Sequence, residues 1–203
     1  MPSSAKKHEL PKLRVQLCTE QPSTRQGGWL RINGVTDDEL VLAVRTHVAG
    51  RELPSPASVE DVVTFERLVR HPMPELLKRM YLEVCNGGLG PGKTLSLTDT
   101  GRWFSDRADL AMAYRDFAAD PDHPLPPGIV PLMDRGCAMW TLIDFRTADG
   151  QMWDWDPNLC CLQHALAPLE QPLAHWLTDW LHGAIPHGPY PHRELSSRNC
   201  PDW

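Results

Sequence analysis

The stretch from Ser58 to Gly88 constrains this chain most, because it predicts two helices separated by a proline break. Ser58 is a favourable N-cap, and Asp61 stands at the third helical position, where its carboxylate can close a capping box. The first helix must end near Arg70, because the prolines that follow, Pro72 and Pro74, remove backbone donors and restrict the residues before them. Pro74 itself suits the first position of the second helix.

The second helix carries an apolar stripe at helical spacing, wide enough to be buried. The stripe consists of Leu77, Met80, Tyr81 and Val84. The segment Asn86–Gly88 follows, and its residues tolerate the positive φ that a helix C-terminus requires. This pair of helices therefore needs another layer of structure against which to bury its apolar side.

The later half of the chain predicts that layer as a sheet. Three apolar segments follow one another at short intervals: Ile129–Met133, Cys137–Phe145 and Gln151–Trp155. Their short connections favour antiparallel hairpins. We also expect a helix capped by Ser105 that ends near Ala118, and a closing amphipathic helix at Leu173–Leu181.

Residues 56–183 resemble the SUKH superfamily, which includes yeast cell-wall-synthesis regulators and many bacterial toxin-immunity proteins. The helical pair that ends in Asn-Gly-Gly matches this family, and three further segments match it in the same order: Gly128–Leu132 with Trp140–Asp144, then Asp149–Asp156, then Pro172–Leu181. The resemblance implies an α+β fold with a single curved, mainly antiparallel sheet and helices packed on one side. It also implies a binding protein without catalysis.

The resemblance divides the chain into three parts. Residues 1–55 are an N-terminal extension, residues 56–183 the SUKH-like core domain, and residues 184–203 a C-terminal tail. In the extension, Thr36 and Glu39 form a capping-box sequence that opens a helix ending near His47. This helix could pack on the core, extend a partner surface or contribute to a dimer. Short strands are expected at Val15–Cys18 and Trp29–Ile32.

Charge and cysteine usage limit the partners and the compartment. The formal net charge of −6 argues against nucleic-acid binding, which requires clustered lysines and arginines, and it suits a basic protein partner. We expect no membrane span and no signal peptide, because no apolar run is long enough. The six cysteines show no C-x-x-C spacing, which favours reduced thiols in the cytoplasm.

Three features could carry catalysis or ligand binding, but in each case a structural interpretation is favoured over a functional one. The letters of Gly87–Thr94 match a phosphate-binding loop, but a helix precedes them where that motif requires a strand. Cys85 ends an amphipathic helix, where a free cysteine is typically a small buried hydrophobe. Five histidines cluster late in the chain without metal-ligand spacing: His164, His175, His182, His187 and His192. We therefore expect no catalytic residue, no cofactor and no metal.

The acidic and aromatic stretch Trp153–Asp156 is the predicted partner-binding site. Tryptophans surrounded by charge are typical of protein interfaces. Nearby aspartates would extend the site, which comprises Trp153, Asp154, Trp155, Asp156, Asp134, Asp144 and Asp149. Two other interpretations are open: the tryptophans fill the core, or the acidic face is simply solvated.

The resemblance to the SUKH superfamily implies a cytoplasmic immunity protein that neutralises a cognate toxin by covering its active site. The expected partner is a basic toxin domain, such as a nuclease or another enzyme that modifies nucleic acids or nucleotides. The alternative is a non-catalytic regulatory adaptor that binds other proteins. An enzyme that uses Gly87–Thr94 or the histidine cluster is the least favoured class.

Overall fold

The computed structural model describes residues 34–121, 124–159 and 165–185. Within these residues the helices are α1 (Asp37–Val48), α2 (Val59–Val69), α3 (Glu75–Arg79), α4 (Leu110–Ala119) and α5 (Leu173–Leu181). A π-helical segment, Met80–Val84, continues α3. The strands are β1 (Ile129–Gly136), β2 (Met139–Asp144), β3 (Gln151–Trp155) and β4 (Leu166–Pro172). The expected strands at Val15–Cys18 and Trp29–Ile32, and most of the tail, lie outside the described residues.

Both predicted capping boxes are confirmed. The Thr36 side chain accepts a hydrogen bond from the Glu39 amide, and the Glu39 carboxylate accepts one from the Thr36 amide. Ser58 and Asp61 make the same reciprocal pair at the start of α2. The helix α2 ends at Arg70, whose φ of 63° is left-handed, before the proline segment begins.

The second helix of the pair is less regular than its sequence predicts. After α3 the backbone widens into the π-helical segment, which the Cys85 amide closes with a 3.2 Å bond to the Met80 carbonyl. Leu77, Met80 and Tyr81 are buried as expected. Val84 is only half-buried, and Cys85 is buried in the core instead. A π-bulge of this kind inserts a residue and shifts the side chains that follow it.

The sheet is antiparallel, with its four described strands in the order β1-β2-β3-β4. This confirms the predicted α+β class and the antiparallel sheet. The sequence does not predict β4, because this strand contains Pro168 and ends at Pro172, and proline in a strand is tolerated mainly at a sheet edge. At that edge β4 pairs with β3, with Trp153 opposite Pro168.

Both faces of the sheet are covered by other parts of the chain. Every residue of β2 is buried, although side chains alternate between the two faces. On the face of Trp140, the Phe117 ring of α4 packs edge-on at 5.4 Å. On the opposite face, where Thr141 pairs with Met133, Gly92 of the loop after the helical pair lies against Met133. A sheet with two apolar faces requires a layer on each.

Helix α1 packs into the core of the domain. Its apolar side belongs to the same cluster of buried residues as the sheet, and that side consists of Leu40, Val41, Val44 and Val48. The His47 ring meets the Trp180 ring of α5 at 4.8 Å. Arg45 donates a 2.6 Å hydrogen bond to the carbonyl of Glu83. Packing on the core was one of the three roles predicted for this helix, and the structure shows it.

Helix α4 begins four residues later than a Ser105 cap would place it. Its N-cap is Asp109, whose carboxylate accepts a 2.7 Å bond from the Met112 amide. Ser105 contacts Asp134 of β1 instead. Serine and aspartate are equivalent as caps, so the sequence alone does not decide between them.

Candidate protein-binding cleft

A half-open cleft of about 440 Å³ lies on the face of the sheet that α4 covers. We call it the aromatic cleft. Its lining comprises Asp106, Arg107, Phe117, Asp120, Asp134, Gly136, Cys137, Ala138, Trp140, Trp155 and Pro157. The lining thus combines aromatic rings with three carboxylates and one guanidinium, so it carries an excess of negative charge.

The floor of the aromatic cleft is made of three aromatic rings. Trp140 of β2 pairs with Trp155 of β3, so the two indoles stand side by side on one face of the sheet. Phe117 of α4 packs edge-on against both, with ring centroids 5.4 and 6.2 Å away. Because all three rings are at least nine-tenths buried, the floor is held rigidly by the core.

One wall of the cleft is built around Arg107. Its guanidinium lies 5.3 Å from the Trp140 ring centroid and 5.8 Å from that of Phe117. Its Nη1 is 2.8 Å from an Asp106 carboxylate oxygen, and its Nε is 3.2 Å from one of Asp116. The arginine is therefore stacked on the aromatic floor and neutralised by two carboxylates.

Ser105 connects that wall to the sheet. Its hydroxyl oxygen lies 2.7 Å from Asp134 Oδ2 and 2.9 Å from Asp106 Oδ1. The other oxygen of Asp134 accepts a 2.7 Å bond from the Gly136 amide. Hydrogen bonding from Ser105, together with the charge of Arg107, holds the pKa of Asp106 below its ordinary value, so this carboxylate is ionised at neutral pH.

Two of the predicted partner-binding residues lie in the aromatic cleft. Trp155 forms part of its floor and Asp134 part of its rim. Trp155 is only 4% exposed, so it also fills the core, as one of the alternative interpretations held. Whether these residues contact a partner stays a prediction.

The other predicted partner-binding residues lie outside the aromatic cleft. Asp154 forms an ion pair with Arg135, on the strand face opposite Trp155. Trp153 is half-buried against the core. Asp156 is buried and accepts hydrogen bonds from Asn158.

The last two predicted residues are at the end of β2 and in the turn before β3. Asp144 is buried, and its carboxylate accepts two hydrogen bonds from the guanidinium of Arg146. Burial raises the pKa of Asp144, but the hydrogen bonds from Arg146 outweigh it and hold that pKa below the ordinary value. The Asp149 carbonyl accepts a bond from the Leu173 amide at the start of α5. Neither aspartate contributes to the cleft.

The loop at Gly87–Thr94 does not form a phosphate cradle. Its amides already have partners inside the protein: Gly88 donates to the Thr94 carbonyl, Leu89 to the Thr94 hydroxyl, and Gly92 to the Met133 sulfur. A cradle requires a row of amides that point at the ligand. The loop is also followed by an extended segment, where the phosphate-binding motif requires a helix.

The thiol and the histidines show no catalytic arrangement within the described residues. Burial raises the pKa of Cys85 to about 12, and its thiol donates to the Gly87 carbonyl, so it is protonated at neutral pH. His175 is half-buried on α5 and His182 follows that helix, whereas the other three clustered histidines lie outside the described residues. In the described part of the chain, no group of three or more potential ligands could hold a metal ion.

Several residues of the cleft are not identifiable as site residues from the sequence, namely Asp106, Arg107, Phe117, Asp120 and Trp140. The only available signal was composition, since residues 106–120 are rich in aspartate and arginine. Phe117 lies on the buried side of α4, but its neighbours in the sheet cannot be inferred from helical spacing.

No protein-family model and no curated protein matches this chain. No helix among the described residues has the length and apolar character needed to cross a membrane.

Proposed function

We propose that this chain is a cytoplasmic immunity protein that binds a cognate bacterial toxin domain and covers its active site. The aromatic cleft is the observation that supports a binding role. Rigid aromatic side chains next to charged groups are the usual composition of binding hot spots. The immunity role itself comes from the resemblance of residues 56–183 to the SUKH superfamily.

A basic toxin is the partner that fits this surface. The chain carries a formal net charge of −6, and the cleft lining has an excess of carboxylates. Complementary charge accelerates encounter and selects among partners. Enzymes that act on nucleic acids carry basic surfaces, which an acidic protein can cover.

The test is protection from a toxin encoded beside this gene in a bacterial genome. We expect that co-expression restores growth of cells that produce the toxin, and that the two proteins co-purify and bind in calorimetry. Absence of both a complex and protection would reject the proposal. A complex without protection would favour the regulatory adaptor instead.

A charge-reversed variant tests whether the cleft is the contact surface. Asp120→Arg combined with Asp134→Arg should abolish protection, because it replaces two rim carboxylates with like charges facing a basic partner. Glu60→Arg is the matched control, since Glu60 is exposed on α2 and outside the cleft. Full protection by the cleft variant would show that the toxin binds elsewhere.

A further inference from the structure

A second groove, which we call the basic groove, lies between α4 and the C-terminal end of α2. It is open to solvent and encloses about 490 Å³. Its apolar surface is formed by Leu68, Val69, Tyr114, Ala118 and Pro127. The Tyr114 ring packs edge-on against the buried Phe65 ring, with centroids 6.4 Å apart, so the core holds this wall in place. The groove can therefore receive a large apolar side chain.

The charged side chains of the basic groove are cationic. Arg70 contributes to it from the end of α2 and Arg115 from α4, and His71 lies next to Arg70 in the same lining. Among the described residues, no carboxylate lines this groove, whereas three line the aromatic cleft. A chain with a formal net charge of −6 thus carries a local positive surface beside an apolar one.

The two arginines of the basic groove are not used inside the protein. Both are exposed, and neither guanidinium has a hydrogen bond or an ion pair within the part of the chain that the structure describes. By contrast, the arginines that pair with a carboxylate are Arg45, Arg79, Arg102, Arg107, Arg135 and Arg146. Because a guanidinium has five N–H donors in a planar fork that matches a carboxylate, Arg70 and Arg115 are available to bind carboxylates of another molecule.

We infer that the basic groove binds a short acidic segment of another protein, in which carboxylates flank one large apolar side chain. That side chain packs against Tyr114 and Ala118, and the carboxylates accept hydrogen bonds from Arg70 and Arg115. Apolar burial contributes affinity, and complementary charge selects the segment. An inorganic anion would pair with the arginines but leave the apolar lining uncovered, so a peptide is the better match. This surface is separate from the aromatic cleft, and the inference does not depend on the immunity role.

The test uses the blocked peptide acetyl-Glu-Phe-Glu-amide as the probe. Acetyl-Gln-Phe-Gln-amide is the control for charge, and acetyl-Glu-Gly-Glu-amide is the control for the apolar side chain. Each peptide is titrated into the ¹⁵N-labelled full chain while the amide signals of Ala118 and Ala119 are followed by NMR. We expect saturable shifts with the probe and at least about fivefold weaker binding of either control. Equal affinity for the probe and either control, or no shift with any peptide, would overturn the inference.

Two variants identify the cations that bind the probe. Arg70→Gln and Arg115→Gln should each weaken binding of the probe about threefold to fivefold, the loss of roughly one exposed ion pair. Arg67→Gln is the matched control, because Arg67 is exposed on the same helix α2 but does not line the groove. It removes the same charge and should leave the affinity nearly unchanged. Equal weakening in all three variants would show only long-range attraction, and unchanged affinity in both groove variants would likewise contradict the inference.

A blocking variant and a dilution series complete the test. Ala118→Glu places a carboxylate in the groove, three residues after Arg115 on α4, so it should compete for that guanidinium and abolish binding of the probe. Full binding by this variant would contradict the inference. A second copy of this chain is the other possible occupant. If the Ala118 and Ala119 signals of the free protein shift on dilution, and Arg70→Gln removes that shift, the groove serves self-association and the inference fails.

Discussion

The phenol of Tyr81 donates a 2.7 Å hydrogen bond to the backbone carbonyl of Leu95, and both residues are buried. The bond ties the π-helical segment to the extended segment that follows the glycine loop. Leu95 in turn donates its amide to the Leu132 carbonyl of β1. A single side chain thus connects the helical pair to the sheet.

Removing that hydroxyl should weaken the domain. Tyr81→Phe leaves the Leu95 carbonyl without its phenol donor in the core, and we expect the free energy of unfolding to fall by about 1–3 kcal/mol. Urea denaturation measures the change. Tyr114→Phe is the control, because the Tyr114 hydroxyl is half-buried and accepts only a 3.5 Å contact from Gly128; it should cost under about 0.5 kcal/mol. Equal losses in both variants would argue against the role of this bond.

Two glycines with nearly the same backbone conformation should respond differently to alanine. Gly90 and Gly50 have φ of 81° and 80°. A Cβ at Gly90 would approach the Trp176 ring to 2.5 Å, whereas nothing lies within 4 Å of a Cβ at Gly50. We expect Gly50→Ala to cost about 1 kcal/mol from backbone strain alone, and Gly90→Ala about 2–4 kcal/mol. Thermal unfolding measures the stability lost in each variant, and the difference between the two losses is the cost of the contact with Trp176. Similar losses would show that Trp176 moves aside freely.

Stability should depend on pH through Asp144. Its pKa in the folded protein is below the ordinary 3.8, so the Arg146 contact stabilises the fold above that value and the stabilisation is lost as pH falls through the lowered pKa. We expect Asp144→Asn to destabilise the protein by about 1–2 kcal/mol at pH 7, since Arg146 is partly exposed. The difference from the unsubstituted protein should shrink below pH 4. Urea midpoints at pH 7 and pH 3 test this, and a gap as large at pH 3 as at pH 7 would contradict the expected linkage.

A glycine in the hairpin turn between β1 and β2 should stabilise the folded protein. Cys137 and Ala138 have φ of 54° and 62°, a left-handed conformation that two-residue hairpin turns usually assign to Asn and Gly. Ala138→Gly removes the strain of the Cβ and should raise the free energy of unfolding by up to about 1 kcal/mol. Ala118→Gly on the exposed side of α4 is the matched control and should lower it by about 0.5–1 kcal/mol. Destabilisation by both would show that the turn carries no strain.

The parts of the fold that depend on neighbours in the chain could be predicted from the sequence. Each capping box, at Thr36 and at Ser58, joins residues three positions apart, so the starts of α1 and α2 could be located from the sequence. Glu66 lies beside the buried residue Phe65 of α2, and helical spacing alone does not explain a carboxylate there. The structure provides one, because its carboxylate accepts a 2.9 Å bond from the Met73 amide and pairs with Lys78 across the proline break.

The cleft could not be predicted, because its parts are distant in sequence. Ser105 and Asp134 are separated by 29 residues and meet only when the segment before α4 folds onto β1. Trp155 was identified as a candidate, but its position on the floor depends on pairing with Trp140. Strand alternation tells which residues share a face, and it does not tell which face a distant loop will cover.

The prolines of β4 have a consequence for how any other protein can engage this one. A partner that joins a sheet by adding a strand needs free amides and carbonyls along an edge. Pro168 and Pro172 provide no amide at the β4 edge of the described sheet. At the β1 edge, the Leu95 amide already donates to the Leu132 carbonyl. An added strand cannot form backbone hydrogen bonds at these positions, so pairing with a further strand is interrupted at both borders of the described sheet.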